Sequence, residues 1–176
     1  GPQLGGPWLR AAPEQGPPSW TVYFQTPDVD ATAKAAEEAH GSVLMQPMDV
    51  MDQGRMAILA DKAGVPFGIW QPGRNKGLDV TQEPGSLCWV ELYTPDIAAA
   101  AAFYNTTLGL ETSAVPFPGG TYTCVNPAGA GEESMFGGIV PLAFGKPLAA
   151  SVMHAIELRV WLRPVSRHDR VGEHSA

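Results

Sequence analysis

The chain repeats itself, and the repeat limits what it can fold into. Thr26-Pro27-Asp28-Val29 returns as Thr94-Pro95-Asp96-Ile97, an offset of 68 positions (94 against 26). Phe67-Gly68 with Pro72 returns as Phe136-Gly137 with Pro141, an offset of 69 (136 against 67). Landmarks at opposite ends of a unit that keep register within one residue mark a duplication, because chance similarity drifts. Whatever one copy folds into, the other is expected to fold into as well.

The first copy is the easier to read. Ser19 to Gln25, SWTVYFQ, is rich in β-branched and aromatic residues and reads as a strand. Thr26-Pro27-Asp28 ends it, and Asp28 or Asp30 can cap a helix by accepting the free N–H groups of its first turn. Asp30 to His40 is built mostly of strong helix formers, with Gly41 in the left-handed position after it. Three short strands follow: Ser42 to Pro47, Gly54 to Ala60 and Pro66 to Gln71. The second copy restarts with a strand at Leu87 to Tyr93 and a helix at Ile97 to Thr106. Strands at Gly120 to Asn126 and Met135 to Val140 complete what is legible. The order in each copy is β-α-β-β-β, an α+β architecture.

On this reading residues 1–18 are a Pro/Gly-rich loop, 19–73 one unit, 74–85 a polar linker, 86–142 the second unit and 143–176 a divergent tail. Gly 20 and Pro 17 supply the many turns such short elements need. The net charge of −7, with only 11 Lys and Arg, argues against nucleic acid as a partner, since a phosphate-binding surface needs clustered cations. No run is long enough and apolar enough to span a bilayer as a helix. Cys88 and Cys124 are too few for a disulfide framework and suit reduced, buried thiols in a cytoplasmic protein.

The residues Gln46-Pro47-Met48-Asp49-Val50, Asp52-Gln53-Gly54-Arg55-Met56-Ala57, Phe67-Gly68-Ile69-Trp70-Gln71-Pro72-Gly73, Cys88-Trp89-Val90-Glu91-Leu92 and Ala102-Phe103-Tyr104 carry a resemblance. Set in repeated β-α-β-β-β units, they resemble the vicinal-oxygen-chelate superfamily, the glyoxalase, bleomycin-resistance and dioxygenase proteins. Within it the match is nearer to actinobacterial two-domain proteins often labelled as hydroxylases. The resemblance spans about residues 18 to 142. It implies curved mixed sheets that cup a ligand, four units per full-length protein and pairing of units within or between chains. Against that template the chain is expected to hold the end of unit one, in the loop 1–18, and all of units two and three, and 143–176 does not resemble a fourth. Open sheet edges and a half-covered apolar face then favour self-association, as a dimer for instance.

Enzymes of that superfamily hold a divalent metal with His, Gln or Glu, early on the first strand and on the last strand of each unit. By position those sites fall here on Thr21, Trp89, Gly68 and Gly138. Glycine and tryptophan side chains cannot ligate a divalent ion, and a threonine hydroxyl is a poor neutral donor. No metal ligand and no cofactor is therefore expected. His40, His154, His168 and His174 do not converge in sequence.

Glu91 is the one acid inside a strand, two residues from Trp89 on the same face. It is the candidate catalytic residue, as a general base or hydrogen-bond acceptor; the alternative is a solvated edge carboxylate. Thr21, Tyr23, Met56, Trp70, Trp89 and Tyr93 are candidate ligand-binding residues, because an aromatic, Met-rich concave wall suits a small hydrophobic or aromatic molecule. Arg55 either meets a ligand oxygen or braces Asp49 or Asp52. The expected function is a metal-independent small-molecule-binding protein. The alternative is a glyoxalase-like lyase or isomerase, a dioxygenase or a hydroxylase.

Overall fold

The computed structural model describes residues 20–81, 83–118 and 120–142 in full, and 149–154 by their backbone. The leading loop 1–18, Ser19 and the polar end of the tail lie outside the described residues. Unit one runs β1 (Tyr23–Gln25), α1 (Val29–Glu38), β2 (Ser42–Val50), β3 (Gly54–Ala60) and β4 (Pro66–Pro72). Unit two runs β5 (Leu87–Thr94), α2 (Ile97–Leu108), β6 (Leu110–Phe117), β7 (Gly120–Pro127) and β8 (Gly137–Pro141). A further strand, β9 (Ala149–His154), follows. The fold is α+β, with two β-α-β-β-β units, as the resemblance implies.

Each sheet is mixed, and the duplication persists in its register. The first sheet has the order β1-β4-β3-β2, with β1 parallel to β4. The second has the order β6-β7-β8-β5-β9, with β5 parallel to β8. Tyr23 stands opposite Gly68 in one, and Glu91 opposite Gly138 in the other. The repeated Thr-Pro-Asp makes the same turn twice. Asp28 accepts from the Ala31 N–H and Asp96 from the Ala99 N–H, both at 2.9 Å, capping α1 and α2. Thr26 and Thr94 hydroxyls each accept from the N–H two residues on, both at 3.3 Å.

Three features differ from the sequence reading. Sequence alone shows two strands after the second helix, whereas the structure has β6 as well. Its polar alternation and Pro116 hide it, and Pro is tolerated there because β6 is an edge strand. Residues 149–154 of the divergent tail pair with β5 and extend the second sheet. After α1 it is His40, at φ 66°, that turns left-handed, not Gly41. Gly41 is small for another reason: a Cβ there would lie 2.6 Å from the Ala60 carbonyl oxygen and 2.8 Å from the Phe103 ring.

That close approach reflects how the units pair. Their helix sides face each other and share one core, with Val29, Leu59, Phe67 and Ile69 from unit one and Leu92, Phe103, Val125 and Ile139 from unit two. Phe67 meets Tyr104 and Phe103 with ring centroids 5.4 and 6.1 Å apart, and Phe24 meets Phe136 at 6.2 Å. Burying side chains of this size stabilises by roughly 1.5–3 kcal/mol each. A cavity of about 40 Å³ remains at the seam, bordered by Phe24, Leu92, Tyr104 and Phe136. It is far below the roughly 300 Å³ that a drug-sized ligand needs. Much of each helix side is taken up by this seam, and the candidate ligand face is the opposite side of each sheet.

Candidate ligand-binding face

Alternation along the strands decides which side chains reach those opposite faces. In unit one two rows cross the sheet. Tyr23 pairs with Gly68, which pairs with Ile58 and then Met45. Beside them Trp70 pairs with Met56, and Met56 with Met48. Tyr23, Met45 and Met48 are 45%, 45% and 47% exposed, so this apolar face is open. The Trp70 indole N–H donates to the Asn75 carbonyl oxygen at 3.0 Å.

Of the residues singled out in unit one, Tyr23, Met56 and Trp70 thus share one face. Thr21 is exposed and precedes β1. Arg55 is placed elsewhere. It shares its side of β3 with the core residues Ala57 and Leu59, and its guanidinium donates to Asp30 at 2.8 and 3.0 Å and to Asp49 at 2.9 Å. Those bonds hold the Asp30 carboxyl below its usual range. They occupy Arg55 with neighbours on its own unit. Asp52, the other partner considered for it, pairs with Arg74 instead.

In unit two the same side of the sheet carries a connected polar chain. Trp89, Glu91 and Tyr93 alternate on β5, and Tyr122 reaches them from β7. The Trp89 indole N–H donates to the Tyr122 hydroxyl oxygen at 3.0 Å. Tyr122 donates to Glu91 Oε1 and Tyr93 to Glu91 Oε2, both at 2.7 Å. Trp89 is 9% exposed, its ring tilted 34° to that of Tyr122 at 6.4 Å. Glu91, Tyr93 and Tyr122 are half-buried. Burial, then the hydrogen bond to Glu91, pushes the Tyr122 hydroxyl well above its ordinary pKa, so it remains a donor.

Tyr122 is absent from the sequence-derived candidates. The signal that could have found it is a glycine on the facing strand. A Cβ on Gly138 would collide with the Tyr122 hydroxyl, and one on Gly68 with the Tyr23 ring. Both glycines are small because a tyrosine lies over them. Cys124 shares the Tyr122 face of β7, but burial, and then the charge of Glu132, raise its thiol pKa. That disfavours the nucleophilic thiolate.

A family model described as bleomycin resistance protein-like N-terminal matches residues 87–126, which carry β5, α2, β6 and most of β7. The Mycobacterium bovis protein CFP32, named as a candidate glyoxylase, is 36% identical over 126 residues, covering 72% of this chain and 48% of its own length. The crystal structure of 2,2',3-trihydroxybiphenyl 1,2-dioxygenase from Sphingomonas wittichii strain RW1 superposes with a TM-score of 0.50 at 18% identity, over 72% of this chain and 48% of that one.

The chain belongs to the vicinal-oxygen-chelate superfamily. Anthracycline biosynthesis protein DauV of a Streptomyces species is 53% identical over 94 residues, 53% of this chain and 34% of DauV. The chain spans about half the length of CFP32 and about a third of DauV.

The vicinal-oxygen-chelate superfamily implies a divalent metal, and the residues here fit one poorly. Thr21, Trp89, Gly68 and Gly138 stand at the four positions, and tyrosine rings fill the space over both glycines. Among the described residues no three His, Cys, Asp or Glu side chains come together as a metal site. Glu91 is a single carboxylate already engaged by two hydroxyls.

Proposed function

We propose that the chain is a metal-independent small-molecule-binding protein that takes a flat aromatic or hydrophobic ligand on the face of unit two that carries Trp89, Glu91 and Tyr93. One observation carries the reading: the Trp89–Tyr122–Glu91–Tyr93 chain, a carboxylate fixed among three aromatic rings on a sheet face. Rings supply stacking and dispersion, and a few fixed polar atoms orient the ligand. Two of the four lone-pair positions on the Glu91 carboxylate are taken, which leaves two to accept from a ligand. An aromatic ligand accords with the relative named for anthracycline biosynthesis. Metal independence rests on the donor chemistry of the four superfamily positions. The apolar face of unit one, with Tyr23, Met45 and Met48 exposed, supports self-association.

Intrinsic tryptophan fluorescence tests the proposal. Hydroxylated anthraquinones should quench saturably, and the response should shrink in Trp89→Phe. An unsaturable response across the panel removes the reading. One equivalent of Zn, Ni, Fe or Mn in purified protein removes metal independence. Sedimentation equilibrium reports self-association, and a monomer at all concentrations removes that part.

A second reading is an enzyme of the glyoxalase-like lyase or isomerase, dioxygenase or hydroxylase kind. The observation that favours it is the same carboxylate, placed within hydrogen-bond reach of anything seated on the face. Glu91 would then accept a substrate proton. Turnover retained in Glu91→Gln removes it.

A further inference from the structure

Charge is divided unevenly along this chain. Residues 77–145 contain seven Asp and Glu and no Lys, Arg or His. The whole net charge of −7 therefore resides in that stretch, and the remaining residues carry as many basic as acidic side chains. Unit two lies inside it. None of the ion pairs of the described residues involves unit two: Lys34 with Glu38 and Arg55 with Asp30 and Asp49 lie in unit one, and Arg74 at the start of the linker pairs with Asp52. Among the described residues Glu91 meets only neutral donors, Tyr93 and Tyr122.

A half-buried carboxylate is costly to leave without a cation, and proteins ordinarily pair one. Among the described residues three aromatic side chains surround it instead. Aromatic faces attract cations through their quadrupole and repel anions, so the setting discriminates by charge and by shape together. Because Tyr122 stays protonated, it adds no negative charge of its own and holds the carboxylate in place.

We infer that the ligand of unit two carries a protonated amine, whose ammonium group seats on the free lone pairs of Glu91 beside the rings of Trp89, Tyr93 and Tyr122. The inference rests on the ligand-binding reading above and narrows it from flat aromatic molecules to cationic ones. The field of a unit with five acidic residues and no basic one, preceded by two more acids in the linker, draws such a ligand in and turns carboxylated aromatics away.

Three probes with one ring system and three charges separate the possibilities. 9-Anthracenylmethylamine is cationic at neutral pH, 9-anthracenemethanol is neutral and 9-anthracenecarboxylate is anionic. Titrated into the full chain, the amine should bind at least about tenfold more tightly than the methanol, and the carboxylate should not saturate. The amine-to-methanol ratio should fall as salt rises from about 20 to about 300 mM, as screening requires. In Glu91→Gln the ratio should collapse toward one. Equal binding of amine and methanol, or tighter binding of the carboxylate, overturns the inference while leaving a ligand-binding protein. Failure of all three probes to saturate removes the ligand-binding reading, and this inference with it.

Discussion

Tyr104, on the second helix, donates a 3.2 Å hydrogen bond to Asp61, in the turn between β3 and β4 of the first unit, and both residues are buried. The other oxygen of Asp61 accepts the N–H groups of Ala63 and Val65 at 2.9 Å. One carboxylate thus closes its own turn and ties that turn to the other unit. Removing the phenol leaves a buried carboxylate oxygen without its donor, which costs about 1–3 kcal/mol. Tyr104→Phe should lower the urea midpoint accordingly and leave the transition cooperative, since Phe keeps the packing against Phe67. An unchanged midpoint would show that the units do not lean on this bond.

The same tyrosine makes stability fall in alkali. Burial first, then the charge of Asp61 and the bond to it, raise the Tyr104 pKa well above its ordinary 10.0. The unfolded chain releases this proton near pH 10, whereas the folded chain keeps it. The stabilisation is complete below that pH and is lost as pH rises beyond it, by about 1.4 kcal/mol per unit for this one group. Urea unfolding between about pH 8 and pH 11 should show the decline begin near 10, and Tyr104→Phe should make it shallower, the rest belonging to Tyr122 and Tyr23, whose hydroxyls are raised as well. A wild-type stability that stays level to pH 11 contradicts the assignment.

How far the sequence could be read depended on whether the deciding interactions were local. The Thr-Pro-Asp caps were legible, because threonine, proline and aspartate act on the backbone within three residues of themselves. The shared β-α-β-β-β order of the two units followed from the repeat, whereas the pairing of β1 with β4 and of β5 with β8 is seen only in the fold. β6 was hidden because an edge strand needs neither strict alternation nor freedom from proline. Which side of a strand faces the partner unit depends on contacts far away in sequence. So the sequence left Arg55 between a ligand oxygen and a brace to Asp49 or Asp52, and the fold sets it on Asp49 and on Asp30, 25 positions away. Tyr122 stayed out of view because its partner Glu91 lies 31 positions away, and only Gly138 between their strands hinted at it. The left-handed residue after α1 was misplaced by one, since Gly41 answers to the Phe103 ring across the seam.

The two caps should behave as copies. Asp28 and Asp96 each accept from the N–H three residues on at 2.9 Å, at the start of helices that both line the shared core. Asp28→Ala and Asp96→Ala should each cost about 1 kcal/mol, within the 0.5–2 kcal/mol seen for such caps. Asp→Asn at either position should cost much less, because asparagine caps as well and only the charge is removed. Equal losses for Ala and Asn would mean that charge, not the hydrogen bond, is at work. Thermal unfolding of the four variants decides between them.

Gly138→Ala tests whether the ring of Tyr122 explains the glycine. The added methyl group collides with the Tyr122 hydroxyl, which must swing away from Glu91. Overpacking of this kind costs about 1–3 kcal/mol, and quenching by an aromatic ligand should weaken with it. In a Tyr122→Ala background the space is empty, so Gly138→Ala should cost less than about 0.5 kcal/mol, a coupling of about 0.5 kcal/mol or more between the sites. Gly137→Ala is the control. Its Cβ would lie 2.5 Å from the Val90 carbonyl oxygen on the neighbouring strand, and no change at Tyr122 relieves that clash. Costs at 138 and 122 that simply add would show that something other than the tyrosine keeps position 138 bare.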